Sequence, residues 1–310
     1  MADPQSRVFT GGAGLVWRRQ RVLWWAFVVN LALAGWSARI ITGRVGAVLD
    51  HSLAAVPSLV QDFHFAAAGE LSSEPYAYLN VGATPIYFSL IFFFFMLLAT
   101  GGILEAYWRD ETLSTGEFFH CGGMYFWRFL RLVIFLGLVL IPFGLIAWGA
   151  RTAASAVEER SVSPYPWFWL MGGAILVLLL LLMSIRLWFD MAEIIAVVDS
   201  EWRSRKCLRR AGDLLRGNYA SLFWLYLRIS IVGWIGLALG VHVWVYHVKP
   251  ASIMTSFLLS QLIVLFWLGM RFWHRASEAL WYKNYLARSE ETGVAPEFSP
   301  NEPELAASVR

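Results

Sequence analysis

Six apolar runs, at 22–41, 86–106, 130–149, 166–188, 220–246 and 252–273, constrain this chain more than any other feature. Each is close to the twenty or so residues that an α-helix needs to cross roughly 30 Å of hydrocarbon. With 58% of all residues hydrophobic and 15% charged, the composition points to a bilayer as solvent. The expected fold is therefore all-α: a polytopic membrane protein with six transmembrane helices. Arg18, Arg19 and Arg21 precede the first run as the basic region of a signal peptide would. Trp36-Ser37-Ala38 puts a bulky residue at the −3 position of any cleavage site, so the run reads as an uncleaved anchor.

Basic residues orient the runs. With the N-terminus inside, twenty Lys and Arg fall in the cytoplasmic segments 1–21, 106–131, 186–228 and 270–310. Five, namely Arg39, Arg44, Arg151, Arg160 and Lys249, fall outside. That asymmetry predicts a multi-pass protein of the cytoplasmic (inner) membrane with both termini in the cytoplasm. Cys121 and Cys207, the only cysteines, lie on the predicted reducing side, and no disulfide is expected.

Three divisions follow. Residues 1–15, with Gly11, Gly12 and Gly14, read as a flexible N-terminal lead-in. Residues 16–288 form the membrane domain, including an extracytoplasmic segment, 43–85, in which Val45, Leu49, Val56, Val60 and Phe63 recur at helical spacing as an amphipathic surface helix would. Residues 289–310, polar and with Pro296, Pro300 and Pro303, read as a disordered cytoplasmic tail. Ser114-Thr-Gly-Glu117 has the spacing of a capping box and predicts a short helix that Gly122-Gly123 ends. Pro142 predicts a kink in the third membrane helix, and Gly236-x-x-x-Gly240 a close helix–helix approach in the fifth.

A repeat runs through the interfaces. Arg186-Leu-Trp188-Phe-Asp190-Met-Ala-Glu193 and Arg271-Phe-Trp273-His-Arg275-Ala-Ser-Glu278 leave the membrane with Arg, Trp and Glu in one register, and Glu105 is the weaker counterpart on the second helix. Phe126-Trp127-Arg-Phe129-Leu-Arg131 and Phe223-Trp224-Leu-Tyr226-Leu-Arg228 return to it, with Val16-Trp17-Arg18-Arg-Gln-Arg21 as a looser third copy. Each repeat holds two membrane helices, so the reading is three pseudo-repeated parallel hairpins around a pseudo-threefold axis, with cytoplasmic interfacial helices. Because a paired charge near hydrocarbon costs less than a lone one, Arg21, Arg131, Arg228, Arg186 and Arg271 are expected to meet Glu105, Glu193 and Glu278 across helices in a structural charge ring.

Between the fourth and fifth helices, Arg203, Arg205, Lys206, Arg209, Arg210 and Arg216 interleave with an apolar stripe at Leu208, Ala211 and Leu215. This predicts an interfacial helix whose cations bind anionic lipid headgroups on the cytoplasmic leaflet. A protein partner fits the same surface, and nucleic acid is not expected.

No metalloprotease, hydrolase, phosphate-loop or dithiol motif occurs. The pairs Asp50-His51 and Asp62-Phe-His64 lack a third ligand at metal spacing, so neither metal nor cofactor is expected. The cytoplasmic pattern from Ala192 to Asn218, with Cys-Leu-Arg-Arg-Ala-Gly-Asp-Leu-Leu-Arg-Gly-Asn at its end, resembles bacterial polytopic proteins related to the membrane domain of glycerophosphodiester phosphodiesterases, over about 120–280. The resemblance implies a membrane module without activity of its own, since catalysis in that family would belong to a separate soluble barrel; it assigns no site residues. The expected function is a non-enzymatic lipid- or partner-binding scaffold, with a transporter or channel for an unknown solute as the alternative. Asn30 and Gln261 are the clear mid-membrane polar residues that a solute path would use.

Overall fold

The computed structural model describes residues 4–49, 77–160, 165–247 and 253–291. These form seven helices: α1 (Pro4–Arg18), α2 (Gln20–Leu49), α3 (Ala77–Arg109), α4 (Thr115–Arg160), α5 (Tyr165–Val198), α6 (Ser204–His247) and α7 (Ile253–Glu291). Stretches long and apolar enough to span a bilayer occur in α2 to α7: Gln20–Ile40, Thr84–Arg109, Thr115–Gly149, Met171–Val198, Ser204–His247 and Met254–Ser289. On α4, Ile134, Leu138, Ile141 and Leu145 are each more than half exposed. Water would penalise such a continuous apolar face, whereas lipid solvates it. The chain is a multi-pass helical membrane protein.

Local chemistry sets the helix ends. Ser114 and Glu117 form the reciprocal capping box: the Ser114 amide donates to Glu117 Oε2 at 2.9 Å and the Glu117 amide to Ser114 Oγ at 3.3 Å. Just beyond the ends of α3 and α5, Asp110 (φ 54°) and Ser200 (φ 49°) take the left-handed conformation, which turns the chain out of a helix. Pro166 lies in the first turn of α5, where its missing amide proton costs no helical bond.

Several elements differ from the sequence expectation. Residues 4–18 are a helix, not a flexible lead-in, with Val8 and Leu15 each 4% exposed. Gly122-Gly123 does not end a helix, because α4 runs unbroken for 46 residues and through Pro142. Pro85 falls inside α3 instead of closing the preceding loop. The basic segment and the fifth membrane run form one 44-residue helix, α6. That helix is about 66 Å long, roughly twice the hydrocarbon thickness, so a large part of it lies beyond the lipid. The sequence-predicted tail begins inside α7, which runs to Glu291. Residues 292–310 lie outside the described residues, as does most of the predicted amphipathic segment, including Asp50, His51, Asp62 and His64.

The chain divides into two compact units. The second comprises 19–99 and 232–272. Here α6 and α7 pack closely: a methyl group on Gly236 would strike the Phe266 ring, and one on Gly240 would lie 2.9 Å from Ile263 Cγ1. This is the close approach that the Gly236/Gly240 spacing predicts. The first unit comprises 1–18, 100–231 and 273–310 and holds most of the buried charge.

Candidate functional site

The core of the first unit is built from the ends of three helices. Residues 100–107 of α3, 189–197 of α5 and 275–279 of α7 are buried on every face. A helix with no exposed face is surrounded by other helices, yet each of these segments carries a glutamate: Glu105, Glu193 and Glu278 are 7%, 9% and 2% exposed.

Three further segments pack on these ends. Helix α1 lies on α7, where Trp273 Nε1 donates to the Phe9 carbonyl at 2.9 Å and Gly12 abuts Ser277. The start of α6 lies on α5, where Trp188 Nε1 donates to the Leu208 carbonyl at 2.8 Å. The start of α4 lies on α3, where glycine replaces any anchoring indole: a methyl group on Gly101 would sit 3.1 Å from Gly122 Cα, and one on Gly102 only 2.7 Å from the Phe118 carbonyl oxygen.

Charge is distributed unevenly across this core. Arg275, 5% exposed, donates through Nη2 to Glu193 Oε2 at 3.0 Å and through Nη1 to Thr100 Oγ1, so one guanidinium joins α3, α5 and α7. Arg186 pairs with Asp190 on its own helix at 2.9 Å, and Arg109 with Glu105 on its own helix at 2.7 Å. Arg128, also 5% exposed, closes the C-terminus of α5: Nη1 donates to the carbonyls of Ala196 (3.3 Å) and Glu201 (3.4 Å), while the guanidinium lies over the Tyr125 and Trp202 rings. A cation there complements the negative end of the helix dipole. Lys283 does the same for α3, donating to the Trp108 carbonyl at 3.1 Å.

Of the residues expected in a charge ring, Arg186, Glu193 and Glu278 come within electrostatic reach of one another. Arg131 is exposed, and Arg228 lies over its own Trp224 at 5.0 Å. In the second unit, Arg21 lies over Trp25 at 4.8 Å and Arg271 is exposed. The interhelical contact to Glu193 is made by Arg275, one turn after Arg271, which sequence reasoning did not select. Its signal was its place inside the exit motif itself, in the register of Asp190.

The basic stretch divides into two kinds of cation. Arg210 pairs with Asp199 at 2.9 Å, Lys206 with Glu201 at 2.6 Å and Arg216 with Asp213 at 3.6 Å. Burial pushes the Asp199 carboxyl up, against the pull of Arg210. The Lys206 hydrogen bond holds Glu201 below the ordinary carboxylate range. Arg203, Arg205 and Arg209 are exposed, and Arg203 directly follows Trp202, which is 64% exposed. Arg205 also lies 5.9 Å over the Phe135 ring of α4.

Among the described residues no group of three or more His, Cys, Asp and Glu is arranged to hold a metal ion. Cys121 and Cys207 are free and buried. The fold defines the class, a multi-pass helical membrane protein with a charged core in its first unit. No family model, curated protein or solved structure matches the chain.

Proposed function

We propose that this chain is a non-enzymatic integral protein of a bacterial cytoplasmic membrane, a scaffold module that binds anionic lipid headgroups through Arg203, Arg205 and Arg209 on its cytoplasmic side. One observation carries the reading. Lys206, Arg210 and Arg216 are each matched by an acid, whereas the exposed Arg203, Arg205 and Arg209 enter no ion pair with a described acid, and an exposed indole, Trp202, directly precedes Arg203. Exposed guanidiniums beside an aromatic side chain suit the phosphate-rich interface of an anionic leaflet. The start of α6 then lies at the membrane surface as an interfacial segment continuous with a membrane span. The resemblance to the phosphodiesterase membrane domain agrees with a membrane module that has no reaction of its own.

The three-hairpin arrangement belongs to the same proposal. Its support is that Trp188 and Trp273, in one register of the repeat, each donate to a backbone carbonyl of the segment packed alongside. A transporter would be expected to gather charge at mid-membrane. Asn30 and Gln261 are only half-buried, and the buried charges collect in the first unit instead.

Lipid retention tests the function. Native mass spectrometry of the purified protein should show anionic phospholipid held by the wild type in preference to zwitterionic lipid, and released by salt. Replacing Arg203, Arg205 and Arg209 with Gln should weaken retention by up to roughly a hundredfold, at about 1 kcal/mol per cation. Equal retention by wild type and triple variant would contradict the proposal.

A further inference from the structure

Among the described residues, Glu278 is the buried acid of the first unit that no ion pair matches. It is 2% exposed, and neither carboxylate oxygen has a hydrogen-bond partner. Around it, within electrostatic reach, lie Asp190, Arg186 and Glu193 from α5 and Arg275 from its own helix. Both guanidiniums are already engaged, Arg186 by Asp190 and Arg275 by Glu193 and Thr100. Three carboxylates therefore share two cations.

The other groups facing this cluster do not supply the missing charge through a direct bond. His274, one turn before Glu278, packs against Tyr226 of α6 with ring centres 4.1 Å apart and the rings tilted by 38°, and meets Ser230 through Nε2 at 3.4 Å, while its Nδ1 is buried without a partner. Tyr107 of α3 lies within reach of Arg275. A buried carboxylate with neither a hydrogen bond nor a counter-ion of its own is costly.

We propose that Glu278 binds one exchangeable monovalent cation, either a proton on its carboxyl or an alkali ion at its oxygens, and that the fold of the first unit is linked to occupancy of this site. The charge count, the complete burial and the two unpartnered oxygens carry the proposal together. It stands whether or not the basic surface of α6 binds lipid.

The test compares the full-length protein with Glu278→Gln, which keeps the size of the side chain and removes its charge. Thermal unfolding in detergent is followed from pH 7 to 9, in choline chloride and then in sodium or potassium chloride at equal ionic strength. If the folded state holds a proton that the unfolded chain releases, stability falls as pH rises, by about 2 °C per pH unit for one proton. An alkali ion at the site would restore the wild-type midpoint at pH 9; a site for protons alone would not respond to it. Glu278→Gln should lose both dependences. Retention of the full wild-type pH and cation response by the variant would overturn the proposal. Should the variant fail to fold, wild-type protein decides. An apolar carbodiimide, which attacks protonated buried carboxyls, should label Glu278 at pH 7 in choline, and an alkali ion that occupies the site should protect it. No adduct at pH 7 would overturn the proposal.

Discussion

Arg275 and Glu193 meet across two helices, 82 residues apart in sequence, with nitrogen and oxygen at 3.0 Å and the side chains 6% and 11% exposed. The same guanidinium reaches Thr100 on a third helix, so a single side chain ties together three buried helix ends. Leaving one member of a buried pair uncompensated costs about 3–5 kcal/mol. Glu193→Gln and Arg275→Met should each destabilise the protein in detergent on that scale. The double variant should cost less than the sum, with a coupling of about 2 kcal/mol. Strict additivity in denaturation midpoints would mean that the contact contributes no coupling.

Glycine determines how closely the outer segments approach this core. At Gly102 a methyl group would lie 2.6 Å from the Phe118 ring and 2.7 Å from its carbonyl oxygen, and at Gly12 it would lie 2.9 Å from Ser277 Cα. Backbone cannot step aside as a side-chain tip can. Gly102→Ala and Gly12→Ala should therefore each cost about 1–3 kcal/mol, despite the better helix propensity of alanine. Gly212, where the nearest atom would be Trp188 Nε1 at 3.6 Å, has room, and Gly212→Ala should be neutral or stabilising. Thermal unfolding of the three variants in detergent checks the order.

The six spans were legible because twenty apolar residues in a row have few soluble alternatives. The capping box at Ser114 was legible because it is set by residues three apart. Helix continuity was not. Gly122-Gly123 has the local look of a helix stop, yet Gly122 is buried where Gly101 of α3 comes close, and tertiary packing outweighs the local preference. The glycines of 1–15 misled in the same way, since Gly12 provides the surface against Ser277. At the site, the repeat drew attention to Glu193 and Glu278, both buried, but favoured Arg271 over Arg275. Spacing along a helix gives a face; it does not give depth, and depth separates the exposed Arg271 from the buried Arg275.

The functional reading depends on which side of the membrane the charged core occupies, and thiol accessibility measures that directly. Native Cys121 and Cys207 are 8% and 0% exposed, so they form an unreactive background. Gly116 and Ser155 are exposed near opposite ends of the single helix α4, about 58 Å apart along its axis and so farther apart than the hydrocarbon is thick. With Gly116→Cys or Ser155→Cys introduced singly, an impermeant maleimide added to intact spheroplasts should label the Ser155→Cys protein at once. It should label the Gly116→Cys protein only after the membrane is opened. Labelling of Gly116→Cys from outside, with Ser155→Cys protected, would place the basic surface of α6 on the wrong face of the membrane and contradict the account.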